Sequence, residues 1–376
     1  MKKKALLVTT VSGFVPQFEM NNVHILESMG YEIHYAANFH MPSYGVDNKR
    51  LEGTRIECHQ IDFCRNPFNK KNIKAYIQLT NLMEQENFSL IHCHTPMGGA
   101  LGRLAARKAA VQTVIYTAHG FHFYKGAPLI NWLIYYPAER MLARYTHQLI
   151  CINQEDYLRA RKFSCRSVNY VSGVGIDIEH IKRSKLSKDY LTQKRRSLGI
   201  PDEKTILLSV GELIPRKNHA TVIQALKLLD NRKLCYVICG HGILEDELKA
   251  LAKRLDVMEQ VYFLGYRNDI LELYQLADLF LLPSFQEGLS VALMEAMASG
   301  IPVIGSDIRG NRDLLGGSKE GLVKKNTPSE YAAKIHYLLN NGAAREALVR
   351  RGLEAIKKYD IQQVEEEMRD IYSKFN

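Results

Sequence analysis

Glu287 and Glu295, two carboxylates with seven residues between them, carry the strongest chemical signal in the sequence. Glu287 follows Leu279-Phe280-Leu281-Leu282-Pro283, an apolar run that reads as a buried strand stopped at proline. Beyond it a helix is expected to open near Gly288–Ser290 and to close at Gly300. The first N–H groups of such a helix lack internal partners and sit at the positive end of its dipole, so they suit a phosphate. Gly288 would let an anion approach the backbone closely. Glu295 stands among Leu293, Met294, Ala296 and Met297, where an unpaired carboxylate would be costly. A bidentate carboxylate suits the two hydroxyls of a ribose, and Glu287 could accept from the hydroxyls of a sugar. A solvated glutamate on the outer helix face, with a dipole partner in its first turn, explains the same pair equally well.

Other groups able to do chemistry lie at strand ends. Gly211-Glu212-Leu213-Ile214-Pro215-Arg216-Lys217-Asn218 is a strand-to-helix loop with two adjacent cations, and Ser12-Gly13-Phe14 follows the first strand. His92 and His94 share one face of a strand, and His119 and His122 follow the next one. No carboxylate or thiolate cluster accompanies these histidines in the sequence, so no metal site is expected. The seven cysteines are scattered without a CxxC spacing, which fits reduced thiols in the cytoplasm. Neither half carries G-x-G-x-x-G after its first strand, which disfavours a dinucleotide oxidoreductase.

These groups need a framework. Apolar strands are expected at Ala5–Thr10, Glu32–Ala37, Leu90–His94, Val114–Ala118, Leu149–Ile152 and Val168–Val171, with amphipathic segments between them. The pattern restarts with Thr205–Val210, Leu234–Cys239, Val261–Leu264, Leu279–Leu282 and Val303–Gly305. Lys182-Arg183-Ser184-Lys185-Leu186-Ser187-Lys188, charged and without apolar periodicity, reads as the linker between the two halves. A chain of 376 residues accommodates two such α/β domains, doubly wound and Rossmann-like, facing each other across a cleft with chemistry at the carboxyl ends of their strands. The start, Lys3-Lys4 before a short apolar run, reads as a first strand rather than a signal peptide, and no run of about 18 apolar residues suggests a membrane span.

The stretch around Glu287 and Glu295 resembles the retaining glycosyltransferases of family 4, which have the GT-B fold and share a Glu-x7-Glu motif. Gly300-Ile301-Pro302-Val303-Ile304 after it is similar to the family as well. The resemblance runs along essentially the whole chain, through His92-Cys93-His94-Thr95-Pro96, Thr117-Ala118-His119-Gly120, Ser172-Gly173-Val174-Gly175-Ile176-Asp177 and Val210-Gly211-Glu212-Leu213. It implies an N-terminal acceptor-side domain over 1–180, a nucleotide-sugar-binding domain over 181–358, and a C-terminal helix over 359–376 that packs back on the first domain. It implies transfer from a nucleoside diphosphate sugar with retained configuration and no metal or other cofactor. Glu287 would contact donor sugar hydroxyls together with backbone N–H groups of Gly288, Leu289 and Ser290, and Glu295 would bind the ribose. Lys217 matches the family's phosphate-binding lysine. Many members carry an arginine after the loop glycine, where this chain has Glu212, which leaves Arg216 as the candidate second cation. Gly13 matches the glycine loop that approaches the donor diphosphate, His119 a histidine beside the donor sugar, and Arg267 the region of the nucleobase contacts.

The net charge of +10 is uneven. Residues 1–177 carry 20 Lys and Arg against 13 Asp and Glu, residues 178–200 carry 7 against 2, and residues 201–376 carry 23 against 25. A basic first half suggests an anionic partner, and no base-stacking aromatic motif points to nucleic acid. The unusually apolar Pro128-Leu129-Ile130-Asn131-Trp132-Leu133-Ile134-Tyr135-Tyr136 beside it either dips into a membrane interface or packs in the core of the first domain. The resemblance implies transfer of a hexose or N-acetylhexosamine, UDP-linked, and with the basic first half suggests a polyprenyl-diphosphate-linked saccharide at the cytoplasmic face of the membrane as acceptor. The rivals are a GT-B sugar-nucleotide epimerase and a basic membrane-binding module without catalysis.

Overall fold

The structure, a computed structural model, describes residues 3–43 and 48–375. The chain forms two compact units, Met1–Gly175 with Gln362–Asn376, and Ile176–Ile361.

The first unit holds strands β1 (Lys4–Val11), β2 (Glu32–Asn38), β3 (Glu57–Gln60), β4 (Leu90–His94), β5 (Thr113–Ala118), β6 (Gln148–Cys151) and β7 (Ser167–Tyr170). All pair in parallel in the order β3-β2-β1-β4-β5-β6-β7. Alternation sends Leu6 and Val8 to one apolar layer and Ala5 and Leu7 to the other. The second layer is completed by the C-terminal helix Ile361–Ser373, whose Val364, Met368, Ile371 and Tyr372 recur at helical spacing and are buried. Tyr372 also places its hydroxyl 2.7 Å from His92 Nδ1, so the helix is fixed by a polar contact as well as by apolar burial.

The second unit holds β8 (Thr205–Val210), β9 (Leu234–Cys239), β10 (Val261–Gly265), β11 (Leu279–Leu282), β12 (Val303–Ser306) and β13 (Leu322–Val323), parallel in the order β10-β9-β8-β11-β12-β13. Leu208, Phe280 and Leu282 face one layer with Met294 and Met297, while Leu207, Leu279 and Leu281 face the other with Val222 and Leu226. The winding direction reverses between β8 and β11, which opens a crevice between the loops at their carboxyl ends.

The charged stretch 182–188 is not a linker. It lies inside the second unit, between helices Ile178–Arg183 and Lys188–Ser197. Asp177 and Ser187, which look like loop residues, cap these helices by accepting from His180 N (2.7 Å) and Tyr190 N (3.2 Å). The helix Lys188–Ser197 has no buried residue, so it shows no apolar period. Polar contacts hold it instead: Lys194 pairs with Asp269 and, at 2.6 Å, with Glu272. The short edge strands β3 and β13 and the helix Gly342–Ala355 are likewise missing from the sequence-based pattern.

Candidate active site

In the second unit the loops after β8 and β11 bring Arg216, Lys217 and Glu287 together. Lys217 Nζ lies 2.8 Å from Glu287 Oε1, and Arg216 Nη1 lies 3.0 Å from Glu287 Oε2. The backbone is tied at the same place: Arg216 Nη1 donates to Gln286 O (2.9 Å) and Phe285 N to Arg216 O (2.8 Å). Glu287 is buried, which by itself would raise its carboxyl, but the charges of Lys217 and Arg216 outweigh burial and hold it at about 2. Two cations and one carboxylate leave a net positive charge at the crevice.

Directly after Glu287, Ser290 caps the helix Val291–Ala298, its Oγ accepting from Leu293 N at 3.3 Å. Gly300 ends that stretch at φ +75°, a conformation that favours glycine. The helix thus begins four residues after Glu287, the carboxylate that Lys217 contacts. Glu295 is not on the solvent face: its Oε2 lies 3.0 Å from the Tyr274 hydroxyl. Burial pushes its carboxyl up to about 7, and the Tyr274 hydrogen bond opposes only part of that rise. A carboxyl raised above its ordinary 4.5 favours the folded state below that value and loses the advantage as pH climbs through 7. Glu295→Gln is accordingly expected to stabilise the ligand-free protein at pH 8 by about 3 kcal/mol and to leave it nearly unchanged at pH 4.5, as read by urea unfolding. Equal effects at both pH values would contradict this.

Arg309 is a site residue that the sequence did not reveal. It is buried on the turn after β12, and its Nε donates to Glu287 O at 3.1 Å. The next residue must be glycine, because a Cβ at Gly310 would fall 2.1 Å from Gly288 O. The Ser306-Asp307-Ile308-Arg309-Gly310 turn, from strand end to helix start, was the available signal. Beneath Lys217, His219 Nδ1 meets the Tyr236 hydroxyl (2.9 Å), which donates to Ser209 Oγ (2.9 Å), which donates to Leu281 O (2.6 Å). Burial first, then the Lys217 charge, lowers His219 to about 4, so this chain is neutral and ties β8, β9 and β11 under the cationic loop. Arg267 lies elsewhere on the carboxyl edge, after β10, with Nε 2.8 Å from Asp269 Oδ1 and Nη2 on Asp269 Oδ2. Its guanidinium is thus engaged by a neighbouring carboxylate.

In the first unit, Gly13 packs against the loop after β2 so closely that a Cβ would lie 1.6 Å from Ser43 O. His119 stands after β5 beside His94 at the end of β4, with His119 Nε2 3.1 Å from His94 Nδ1. Contrary to the sequence-based expectation, a carboxylate does accompany them: buried Glu19, from the turn between two short helices, lies 3.3 Å from His119 and 3.4 Å from His94. His92 packs its ring 4.1 Å from that of His94 but directs its nitrogens to Tyr372 and Thr117, and His122 is stacked on Tyr135. Thr95, next to His94, is held at φ 62°, ψ 156°, a region that costs about 1–3 kcal/mol for a residue with a Cβ. Thr10 compensates through N and Oγ1 contacts of 2.9 and 2.8 Å to Thr95 Oγ1.

The apolar stretch 128–136 is divided between core and surface. Trp132, Tyr135 and Tyr136 pack on the core of the first unit, while Leu129, Ile130 and Leu133 on the same helix are exposed, Leu129 at 80%.

Two doubly wound units, with a cationic crevice at the switch point of the second, define a GT-B glycosyltransferase, and sequence comparison places the chain accordingly. A profile for "Glycosyl transferases group 1" matches residues 192–355, and one for "Glycosyl transferase 4-like" matches residues 4–153. The "Putative glycosyltransferase EpsD" of Bacillus subtilis is 35% identical over 100% of this chain and 97% of its own. The UDP-Gal:alpha-D-GlcNAc-diphosphoundecaprenol alpha-1,3-galactosyltransferase of Escherichia coli is 33% identical over 69% of this chain and 68% of its own. Among solved structures, Anabaena HepE, crystallised with UDP and glucose, superposes with a TM-score of 0.79 at 19% identity and covers 100% of both chains. The chain belongs to the group 1 glycosyltransferases.

Proposed function

We propose that this enzyme transfers a hexose or N-acetylhexosamine from a UDP-sugar to a polyprenyl-diphosphate-linked saccharide, with retention of configuration and without a metal in the transfer step. The observation that carries the reading is the Arg216–Lys217–Glu287 cluster at the start of the helix Val291–Ala298. A departing diphosphate gains negative charge as the glycosidic bond breaks, and Lys217, Arg216 and the helix N–H groups preorganise positive charge for it. Lys217 would move from Glu287 to a phosphate oxygen, freeing Glu287 for the sugar hydroxyls, with Gly288, Leu289 and Ser290 supplying backbone donors and Glu295 receiving the ribose. Gly13 and His119 of the first unit are assigned to the diphosphate and the donor sugar, and the backbone around Arg267 to the base. In a front-face substitution the acceptor hydroxyl attacks from the side the diphosphate leaves, and the leaving phosphate oxygen takes its proton.

The lipid-linked acceptor is supported by relatives whose names specify diphosphoundecaprenol acceptors, including two Campylobacter jejuni N-acetylgalactosaminyltransferases. Among the described residues no helix is long and apolar enough to cross a membrane. Exposed Leu129, Ile130 and Leu133 provide an insertion edge. Replacing all three by serine is expected to weaken binding to anionic vesicles by roughly a hundredfold, given about 1.5 kcal/mol or more per fully buried side chain and only partial burial in an interface. Co-sedimentation measures it, and unchanged binding would remove this edge from the reading. The function itself is tested with a panel of nucleotide sugars read by donor hydrolysis, followed by lipid-linked acceptors. Transfer with retention, unaffected by chelator, is expected. Donor conversion without acceptor would show an epimerase, and vesicle binding without donor turnover would show a binding module.

A further inference from the structure

We propose that Glu19 Oε1, His94 Nδ1 and His119 Nε2 form a three-ligand zinc site on the carboxyl edge of the first unit's sheet. The three atoms stand 3.4 Å (Glu19–His94), 3.3 Å (Glu19–His119) and 3.1 Å (His94–His119) apart. Ligands about 2.0–2.2 Å from a tetrahedral zinc are themselves separated by roughly 3.3–3.5 Å, so the triangle has the size of one face of such a site.

A hydrogen bond of 3.1 Å joins the two imidazoles, but the buried carboxylate between them is left without a short partner on one oxygen. Glu19 is 2% exposed, and its Oε2 is satisfied by Asn22 Nδ2 at 2.5 Å. Its Oε1 faces both imidazoles at distances well beyond the roughly 2.7–2.9 Å of a charge-assisted N–H···O bond. A cation between the three atoms would neutralise the buried carboxylate and use a lone pair on each ring. Two imidazoles and one carboxylate select zinc over magnesium or calcium, which prefer oxygen alone. The Asn22 contact orients the carboxylate as outer-shell partners do in metal sites. A small pocket of about 20 Å³ lined by Phe18, Glu19, Asn22, Thr117 and His119 has space for a single water as fourth ligand.

A second group, His34, Glu57 and His59, lacks these features. His34 Nδ1 and His59 Nε2 are hydrogen-bonded at 2.8 Å, and the exposed Glu57 stands 3.7 and 3.8 Å from the two rings. It serves as an internal control.

Zinc is assigned no part in sugar transfer. On the reading that His119 contacts the donor sugar, ligation would withdraw its Nε2 and inhibit the enzyme. The test uses the full chain freed of metal by chelation, titrated with Co²⁺ as a spectroscopic stand-in and then with Zn²⁺ as competitor. One equivalent giving tetrahedral visible bands, displaced by zinc, is expected. His119→Ala, at a partly exposed position, and the near-isosteric Glu19→Gln should each weaken binding by at least the roughly 10–100-fold that loss of an outer-shell partner costs. His59→Ala should bind as the parent does. Absence of the bands, their persistence in His119→Ala and Glu19→Gln, or their loss in His59→Ala would overturn the site. Stoichiometric binding that leaves transfer unaffected upholds the site and removes His119 from the donor contact.

Discussion

Lys217→Ala is expected to lower kcat for sugar transfer by about 10²–10³-fold, the usual effect of removing one preorganised group that stabilises transition-state charge. The size follows from position. Lys217 is only 12% exposed, and its ammonium stands 2.8 Å from Glu287, in a crevice where the helix Val291–Ala298 also begins. Arg216 does not substitute for it, because Arg216 is 38% exposed and divides its Nη1 between Glu287 and the Gln286 carbonyl. Lys217→Arg should recover part of the rate, since charge is retained while the position of the donor changes. Steady-state kinetics with donor hydrolysis as readout separates the two effects. Normal turnover with unchanged donor affinity in Lys217→Ala would refute the assignment.

Glu287→Gln should cost about 3 kcal/mol of folding stability at pH 7, with the difference shrinking as the solution is acidified. Glu287 is held at about 2 against an ordinary 4.5, a gap of about 2.5 pH units at 1.36 kcal/mol each. Because the folded value is depressed, this stability is fully present above 4.5 and disappears as pH falls from there towards 2. The carboxylate also separates two cations, so its removal leaves Lys217 and Arg216 facing each other. Urea unfolding of both proteins between pH 7 and pH 3 is the measurement. A pH-independent difference would mean that Glu287 contributes by shape rather than by charge. The same variant should also bind donor more weakly, so stability and affinity fall together here, whereas Glu295→Gln should raise stability above neutral pH.

Much of this molecule was legible because it is encoded locally. Apolar runs of four to six residues bounded by glycine and proline, such as Leu279–Leu282 before Pro283, fix parallel strands by their own composition. The Glu287 loop, the Ser290 cap and the Gly300 stop follow one another within fourteen residues and need no distant partner to be recognised. The resemblance through Glu-x7-Glu rests on the same contiguous stretch.

What sequence could not decide depends on pairing across long separations or on polar surfaces without a period. Lys217 and Glu287 are 70 residues apart, and only the adjacency of β8 and β11 turns two charged loops into one site. Glu295 gained a partner in Tyr274, on a different helix, which decided between a solvated and a buried carboxylate. Glu19 carried no local mark, and it joins His94 and His119 only because the chain folds over the ends of β4 and β5. The 182–188 stretch misled because capping and ion pairs, rather than an apolar face, hold the two helices that flank it. The sequence by itself determined two doubly wound sheets and the Glu-x7-Glu resemblance carried by the second. Tertiary structure decided which charges meet and which apolar side chains stay exposed, because those outcomes depend on distances between segments that local sequence does not specify.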